Sequence, residues 1–299
     1  MLELVRELAL ALRERVLPLL GAHAQRAHSG AAEGGDVTFA IDAAAEELLE
    51  QFVSERAPGV AFYSEDRGLV GADGATSVLI VDPIDGTRPA LAGLESCCVS
   101  IAAAPLDGEP RFRDITCGCV VEIKSGRIFL SGGLEPHLSQ NERIDRMFWA
   151  FGFRGRPARE LTEVLAELID TSSVGGSVFD LGSSAFNMTR VLTGQLDAVI
   201  EPSPLIYQEI PALQAEFERI GGGAVLTNPP YDLAGGWALL KEAGAVMTDA
   251  RGEPLDDLPL LGSGPEHQTS YVACANPVLH EAILGHVSRG VARLGAGRE

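Results

Sequence analysis

The chain has few basic residues for its length, and this shortage excludes several classes of partner. Lys and Arg together number 23 against 42 Asp and Glu, which gives a net charge of −19 at pH 7. A surface this acidic argues against binding nucleic acid or an anionic membrane through the general face of the protein. A polyanionic substrate would need a pocket in which a metal ion offsets the charge of the carboxylates.

Cysteine pairs with CxxC spacing and long apolar runs are also missing from the sequence. The cysteines show no CxxC spacing and no neighbouring histidine cluster, so we expect buried thiols in a reducing compartment, with a redox role for Cys117 and Cys119 as the weaker alternative. Charged residues interrupt the apolar positions of residues 1–20, which therefore predict neither a signal segment nor a membrane span. These features favour a cytoplasmic protein.

What the sequence does contain is a stiff acidic turn after an apolar run. The run Val78 to Val81 predicts a buried strand, and Asp82-Pro83-Ile84-Asp85-Gly86-Thr87 follows it. Pro83 restricts the backbone, so two carboxylates and the Ile84 carbonyl can be held near one point, as magnesium-type cations require. The amides of Gly86 and Thr87 could then bind a phosphate. An ordinary acidic turn at a strand end is the alternative.

Periodicity along the rest of the chain predicts alternating helices and strands. In the first part we expect helices over 2–20 and 43–53, a mobile loop over 23–35, and strands over 60–63, 78–81, 96–104, 115–123 and 127–130. In the second part we expect strands over 146–151, 196–200, 245–248 and 271–275, helices over 158–169, 181–192, 211–220, 232–243 and 277–288, and a disordered tail over 294–299. If the strand over 60–63 lies beside that over 78–81, Glu65 emerges next to Asp82.

Several short segments, taken in order, resemble the inositol monophosphatase family of magnesium-dependent, lithium-sensitive phosphatases. They are Gly35-Asp36-Val37-Thr38 with Asp42, Ser64-Glu65-Asp66, Asp82 to Thr87, Gly182-Ser183-Ser184, Thr193 to Glu201, and Tyr231 to Gly236. The resemblance implies a layered α/β sandwich in the order αβαβα, sugar-phosphatase-like, with two mixed or mostly antiparallel sheets. It implies one unit over 1–299, often a homodimer, and we divide it into a metal-binding half of about 1–135 and a substrate-side half of about 136–299.

The resemblance also implies a role for each matching residue. Glu65, Asp82 and the Ile84 carbonyl would hold one Mg²⁺, and Asp82, Asp85 and Asp232 a second. Glu65 and Thr87, with Thr87 linked to Asp42, would orient and deprotonate the attacking water. The implied substrate contacts are Asp85, Gly86, Thr87, Gly182, Ser183, Ser184, Glu201 and Asp232. Helix capping is the alternative role for Asp42, Thr87, Asp232 and the two serines, and Glu201 could simply be a solvated carboxylate.

Two departures from the family pattern bear on the substrate. The family usually has a few residues between the positions of Glu201 and Asp232, whereas here an insertion of about 202–231 intervenes. It could close over the substrate, pack on a partner subunit or block the site. Arg88 follows the acidic turn where the family commonly has an uncharged residue, so it could meet a second phosphate or carboxylate, or form a surface salt bridge.

These observations predict a phosphatase that hydrolyses a small phosphorylated metabolite, such as inositol monophosphate or a similar polyol or sugar phosphate. A fructose 1,6-bisphosphatase is the alternative within the family. A binding or regulatory protein whose site is blocked by the insertion is the alternative of another class.

Overall fold

The first half of the chain forms a six-stranded sheet in a computed structural model that describes residues 1–33, 35–71 and 73–298. Its helices are α1 (Leu2–Val16), α2 (Ala40–Arg56) and α3 (Thr87–Ala92). The strands of the sheet are β3 (Val60–Ser64), β4 (Gly68–Val70), β5 (Ser77–Asp85), β6 (Cys98–Pro105), β7 (Cys117–Glu122) and β8 (Ile128–Leu130), and a separate two-stranded sheet contains β1 (His28–Ala31) and β2 (Val37–Phe39). The order is β4-β3-β5-β6-β7-β8; β3 and β5 run parallel, whereas the other neighbours are antiparallel.

The second half forms a five-stranded mixed sheet in the order β10-β9-β11-β13-β12. Its strands are β9 (Phe148–Ala150), β10 (Ser177–Phe179), β11 (Ala198–Glu201), β12 (Val246–Thr248) and β13 (Tyr271–Cys274). Its helices are α4 (Ala158–Ser172), α5 (Ser184–Leu192), α6 (Ser203–Glu209), α7 (Gln214–Ile220), α8 (Pro230–Ala243) and α9 (Pro277–Ala296). Helix α8 returns to the first half and packs against β6 and β7.

Three apolar clusters hold the layers together. The first joins α1 and α2 to the outer face of the six-stranded sheet, around Leu8 and Leu79. The second lies between the sheets and contains residues of α5 and α8, such as Met188 and Leu239. The third joins α4 and α9 to the five-stranded sheet, around Trp149. Because each sheet is covered on both faces, the layers follow the order αβαβα, and the predicted sandwich is confirmed.

Two predictions near the termini are wrong. The segment predicted as a mobile loop over 23–35 contains β1, which pairs antiparallel with β2, and the ring of His28 packs edge-on against Phe39. The closing helix continues past residue 288 to Ala296, because Val291 and Leu294 extend its apolar face into the third cluster. Residues 294–296 of the predicted disordered tail are therefore helical, while Glu299 lies outside the described residues.

The insertion also differs from its prediction. It contains two helices, α6 and α7, where one was expected over 211–220. The edge strands β4 and β10 were not predicted either: Gly68 begins the first and Gly175-Gly176 precede the second, and glycine-containing segments indicate loops. No helix within the described residues is long and apolar enough to cross a membrane. The division into a metal-binding and a substrate-side half stays a prediction.

Candidate active site

A bulge in β5 creates the acidic turn. Asp82 lies opposite Ser100 of β6 and Asp85 lies opposite Cys98, so three steps along β5 face two along β6. Pro83 falls within this interval and cannot donate to the ladder, which is where a strand tolerates proline. The Ile84 amide donates to Asp82 Oδ1 at 3.0 Å and closes the turn. The bulge therefore holds both carboxylates at the end of the strand, as the sequence predicts.

Glu65 reaches the same place from the neighbouring strand. Strand β3 pairs parallel with β5, and Ser64 lies opposite Val81, so the next residues of the two strands, Glu65 and Asp82, emerge side by side. Asp232, in the first turn of α8, lines the same cavity as Glu65, Asp82 and Asp85. The structure thus brings together the four predicted carboxylates from three elements that are far apart in sequence.

Asp85 is held by the first turn of α5. It accepts hydrogen bonds from the Ser183 hydroxyl at 2.8 Å, from the Ser184 amide at 3.3 Å and from the Ala185 amide. Ser183 also accepts from the Phe186 amide and so caps α5. The alternative capping role is therefore present for Ser183, and Gly182 and Ser184 line the cavity beside it.

Gly86 and Thr87 form the turn into α3. Gly86 has φ of +89°, and a Cβ there would lie 2.6 Å from the Ser96 carbonyl oxygen, so only glycine fits this position. The Thr87 hydroxyl lies 3.1 Å from Asp42 Oδ1 and 3.2 Å from the Ile84 carbonyl oxygen. Asp42 also accepts from the Phe39 amide at 2.9 Å. It therefore contacts the turn between β2 and α2 as well as Thr87, and the predicted Thr87–Asp42 link is present.

Crowding of the carboxylates shows in their pKa values. Burial, followed by the charge of Asp85, raises the pKa of Asp82 and of Asp232 well above its usual range, and burial and then Asp232 do the same for Glu65. Burial raises the pKa of Asp85 to about 6, although its hydrogen bonds to α5 oppose this shift. Burial also raises the pKa of Asp42 to about 7. A cation among these groups would relieve the repulsion.

The donor set fits a hard divalent cation in kind, since it consists of carboxylate oxygens and the Ile84 carbonyl. Within residues 1–33, 35–71 and 73–298, however, no three acidic, cysteine or histidine side chains are already gathered around one point that could hold an ion. Of the predicted ligands, Asp85 is turned toward α5 by its hydrogen bonds, and the Ile84 carbonyl oxygen lies beside the Thr87 hydroxyl.

Three arginines line the cavity, and only Arg88 was considered from the sequence. Asp36, which is 7% exposed, accepts from Arg88 at 2.7 and 2.9 Å and from Arg154 at 2.6 Å. Burial works against the ionised form of Asp36, but Arg154 and Arg88 outweigh it and lower its pKa. The third, Arg156, forms a buried ion pair with Glu201. The sequence offered one signal for these arginines: Arg154 and Arg156 come shortly after the predicted strand over 146–151, in a chain with few basic residues.

Glu201 ends β11 at the cavity and is buried rather than solvated. Besides Arg156, it accepts from the Ser203 amide at 2.8 Å and from the side chain of Asn228 at 3.3 Å. Asn228 belongs to the insertion and was not predicted as a site residue. The sequence held no signal for it, because its partners lie 27 and 44 residues away.

Comparison with known proteins then decides the family. The family model described as "Inositol monophosphatase family" matches residues 1–292. The chain belongs to the inositol monophosphatase family. Members of this family are phosphoric monoester hydrolases that act on small phosphorylated substrates and are generally metal-dependent. The family resemblance and the enzyme class predicted from the sequence are confirmed.

Relatives in the inositol monophosphatase family span nearly the whole chain. An inositol-1-monophosphatase of Mesorhizobium japonicum is 25% identical over 275 residues, which cover 85% of this chain and 84% of the relative. A fructose-1,6-bisphosphatase/inositol-1-monophosphatase of Thermococcus kodakarensis is 24% identical and covers 94% and 95%. Among solved structures, the extragenic suppressor protein suhB of Bartonella henselae superposes with a TM-score of 0.72 at 19% identity, covering 96% of this chain and 98% of that one, and supports the fold.

Proposed function

We propose that this protein is a magnesium-dependent phosphatase of a small polyol or sugar phosphate, with inositol monophosphate as the first candidate. The observation that carries the proposal is the convergence of Glu65, Asp82, Asp85 and Asp232 on the cavity that contains the Gly86–Thr87 turn. Family membership and relatives named inositol-1-monophosphatase support it. Lithium sensitivity, a homodimer and a cytoplasmic location remain predictions.

Glu65, Asp82, the Ile84 carbonyl, Asp85 and Asp232 would hold the magnesium ions. Bound there, magnesium would supply positive charge to the phosphate and acidify a water molecule. Glu65, which lines the cavity with the other carboxylates, would take up the proton of that water. The Thr87 hydroxyl, when it donates to Asp42, keeps its lone pairs free to orient the water. The amides of Gly86 and Thr87, at the turn into α3 that lines the cavity, would bind the phosphate oxygens.

Fructose 1,6-bisphosphate is the second candidate substrate, and one observation favours it. Arg88 and Arg154 share the single carboxylate of Asp36, so two guanidinium groups lie together at the cavity. Their side chains are 36% and 42% exposed, so a second phosphate on the substrate can reach them. The Thermococcus kodakarensis relative carries both activities in its name.

Phosphate release from a panel of esters tests the proposal. We expect hydrolysis of inositol 1-phosphate or fructose 1,6-bisphosphate with Mg²⁺ and none with EDTA, and a preference for the bisphosphate would favour the second candidate. Asp85→Asn should lower kcat/KM by about 100-fold or more, because it removes a metal-ligand charge. The matched control is Asp170→Asn on the exposed face of α4.

Hydrolysis that ignores EDTA, or that survives Asp85→Asn unchanged, contradicts the metal mechanism. A protein that binds Mg²⁺ but turns over no ester of the panel would instead be the binding or regulatory protein considered from the sequence.

A further inference from the structure

The insertion is a packed part of the fold. Ile206 of α6, Leu213 just before α7 and Phe217 of α7 are almost completely buried in the third apolar cluster, which also contains Trp149. The rings of Tyr207 and Phe217 meet edge to face with their centroids 5.2 Å apart. Burial of this extent ties α6 and α7 to the five-stranded sheet. What the insertion presents to the cavity is therefore a fixed wall.

That wall is the returning segment of the insertion, residues 225–229, all of which line the cavity. Hydrogen bonds of two of its residues hold it in place. The amide and the hydroxyl of Thr227 donate to Gln268 Oε1 at 3.1 and 2.8 Å, and the Thr269 amide donates to the carbonyl of Asn228 at 3.0 Å. Thr227, Asn228 and Gln268 are all buried. Because these bonds are sheltered from water, they fix the position of the Asn228 side chain.

The side chain of Asn228 connects two elements of the cavity. Its oxygen accepts from the Ser184 hydroxyl at 2.5 Å, and its nitrogen lies 3.3 Å from Glu201 Oε2. Ser184 begins α5, whose first turn holds Asp85, and Glu201 ends β11. Asn228 is 2% exposed, and both polar atoms of its side chain contact these two partners.

Counting hydrogen bonds shows which groups this connection leaves for a ligand. The proton of the Ser184 hydroxyl is directed to Asn228, and the Tyr271 hydroxyl lies within hydrogen-bonding reach of its oxygen, which leaves one lone pair as an acceptor for a ligand. The Glu201 carboxylate has about four acceptor positions. Arg156, Asn228 and the Ser203 amide use three of them. Both residues line the cavity and present acceptors that suit the hydroxyl groups of a polyol.

We propose that Asn228 is a positioning residue that sets the selectivity for the leaving group: it orients Ser184 and Glu201 as acceptors for the hydroxyls of the alcohol. This rests on the proposed phosphatase function. The insertion thereby selects the substrate through one buried amide.

The test compares two esters in the Asn228→Leu variant, which has a similar volume and no hydrogen-bonding group. The KM of inositol 1-phosphate should rise about 10-fold, the equivalent of one hydrogen bond to a charged group, while kcat stays within about 3-fold. The constants for 4-nitrophenyl phosphate, whose leaving group has no aliphatic hydroxyl, should stay within about 2-fold. Gln214→Leu, an exposed amide of α7, is the matched control.

An equal loss on both esters, or an unchanged KM for inositol 1-phosphate, overturns the proposal. If Asn228→Leu does not fold, Asn228→Asp keeps the acceptor for Ser184 but sets a like charge against Glu201, and the same selective rise in KM is expected.

Calorimetric titration separates this inference from the proposed function. If the wild-type protein hydrolyses neither ester, the proposed function fails, yet binding still decides the role of Asn228. The Kd of inositol 1-phosphate in the presence of Mg²⁺ should then rise about 10-fold in Asn228→Leu, with the Kd of inorganic phosphate unchanged. No change in the Kd of inositol 1-phosphate, or an equal rise for both ligands, overturns the inference.

Discussion

Arg156 and Glu201 form a buried ion pair whose two side chains are 7% and 5% exposed. Removing one charge from such a pair leaves the other without compensation in a place that water does not reach. We therefore expect Arg156→Gln to lower the free energy of unfolding by about 3–5 kcal/mol, measured by urea denaturation. The double variant Arg156→Gln/Glu201→Gln should recover most of the loss. A single variant within about 1 kcal/mol of the wild type would show that Glu201 finds another partner.

Single residues of the site differ in how far the sequence predicts them. The acidic turn of Asp82, Asp85 and Gly86 was predicted because a rigid turn is a local property that a short segment encodes. The partners of Asp36 and Glu201 could not be predicted, because they depend on contacts between distant segments. Asp36 and Arg154 are 118 residues apart, and no spacing rule relates them. The role of Asn228 was missed for the same reason.

At the scale of elements, the position of α8 depends on glycines at its contact with the six-stranded sheet. A Cβ on Gly118 of β7 would lie 2.7 Å from the Gly235 carbonyl oxygen and 2.8 Å from the Ala238 Cβ. A Cβ on Gly235 would lie 2.5 Å from the Ser100 hydroxyl. The helix backbone therefore rests almost directly on the sheet, and Asp232, one turn earlier in α8, is placed by this contact.

Gly118→Ala should push α8 away from the sheet. We expect a loss of about 1–3 kcal/mol in the free energy of unfolding, from overpacking. We also expect a smaller Mg²⁺-induced rise in Tm, because Asp232 moves with the helix. Gly59→Ala is the control, since a Cβ there meets nothing within 4 Å. If Gly118→Ala keeps the full Mg²⁺ effect, the contact does not position Asp232.

Long elements were predicted well, whereas some short ones were predicted and others were missed. Helix α4 has an apolar face that repeats over several turns, and glycine-containing turns separate β6, β7 and β8, so both patterns can be read locally. Strand β1 is fully exposed and is stabilised by pairing with β2, a contact that its own composition does not encode. The two helices of the insertion are short, and their burial against the third apolar cluster, rather than their periodicity, stabilises them.

For the whole molecule, the net charge of −19 and the buried carboxylates both make the folded state less stable as the pH rises. The pKa of Asp85 is about 6 and those of Asp42 and Glu46 are about 7, each raised first by burial. The folded protein then binds more protons than the unfolded chain, so these groups contribute stability below their unfolded pKa of about 4. That contribution is lost as the pH rises through the folded values.

We therefore expect the Tm of the protein in EDTA to fall between pH 5 and pH 8, measured by scanning calorimetry at each pH. Mg²⁺ should raise the Tm more at pH 8 than at pH 5, because protons compete with the ion at low pH. Repeating the series at about 1 M KCl distinguishes the contribution of the cavity carboxylates to the change in Tm from that of the surface charges. Salt screens exposed charges much more than buried ones. Asp85→Asn should reduce the Mg²⁺ effect at pH 8. A Tm in EDTA that is constant or rises over this range would show that the carboxylates are already ionised and compensated without a metal.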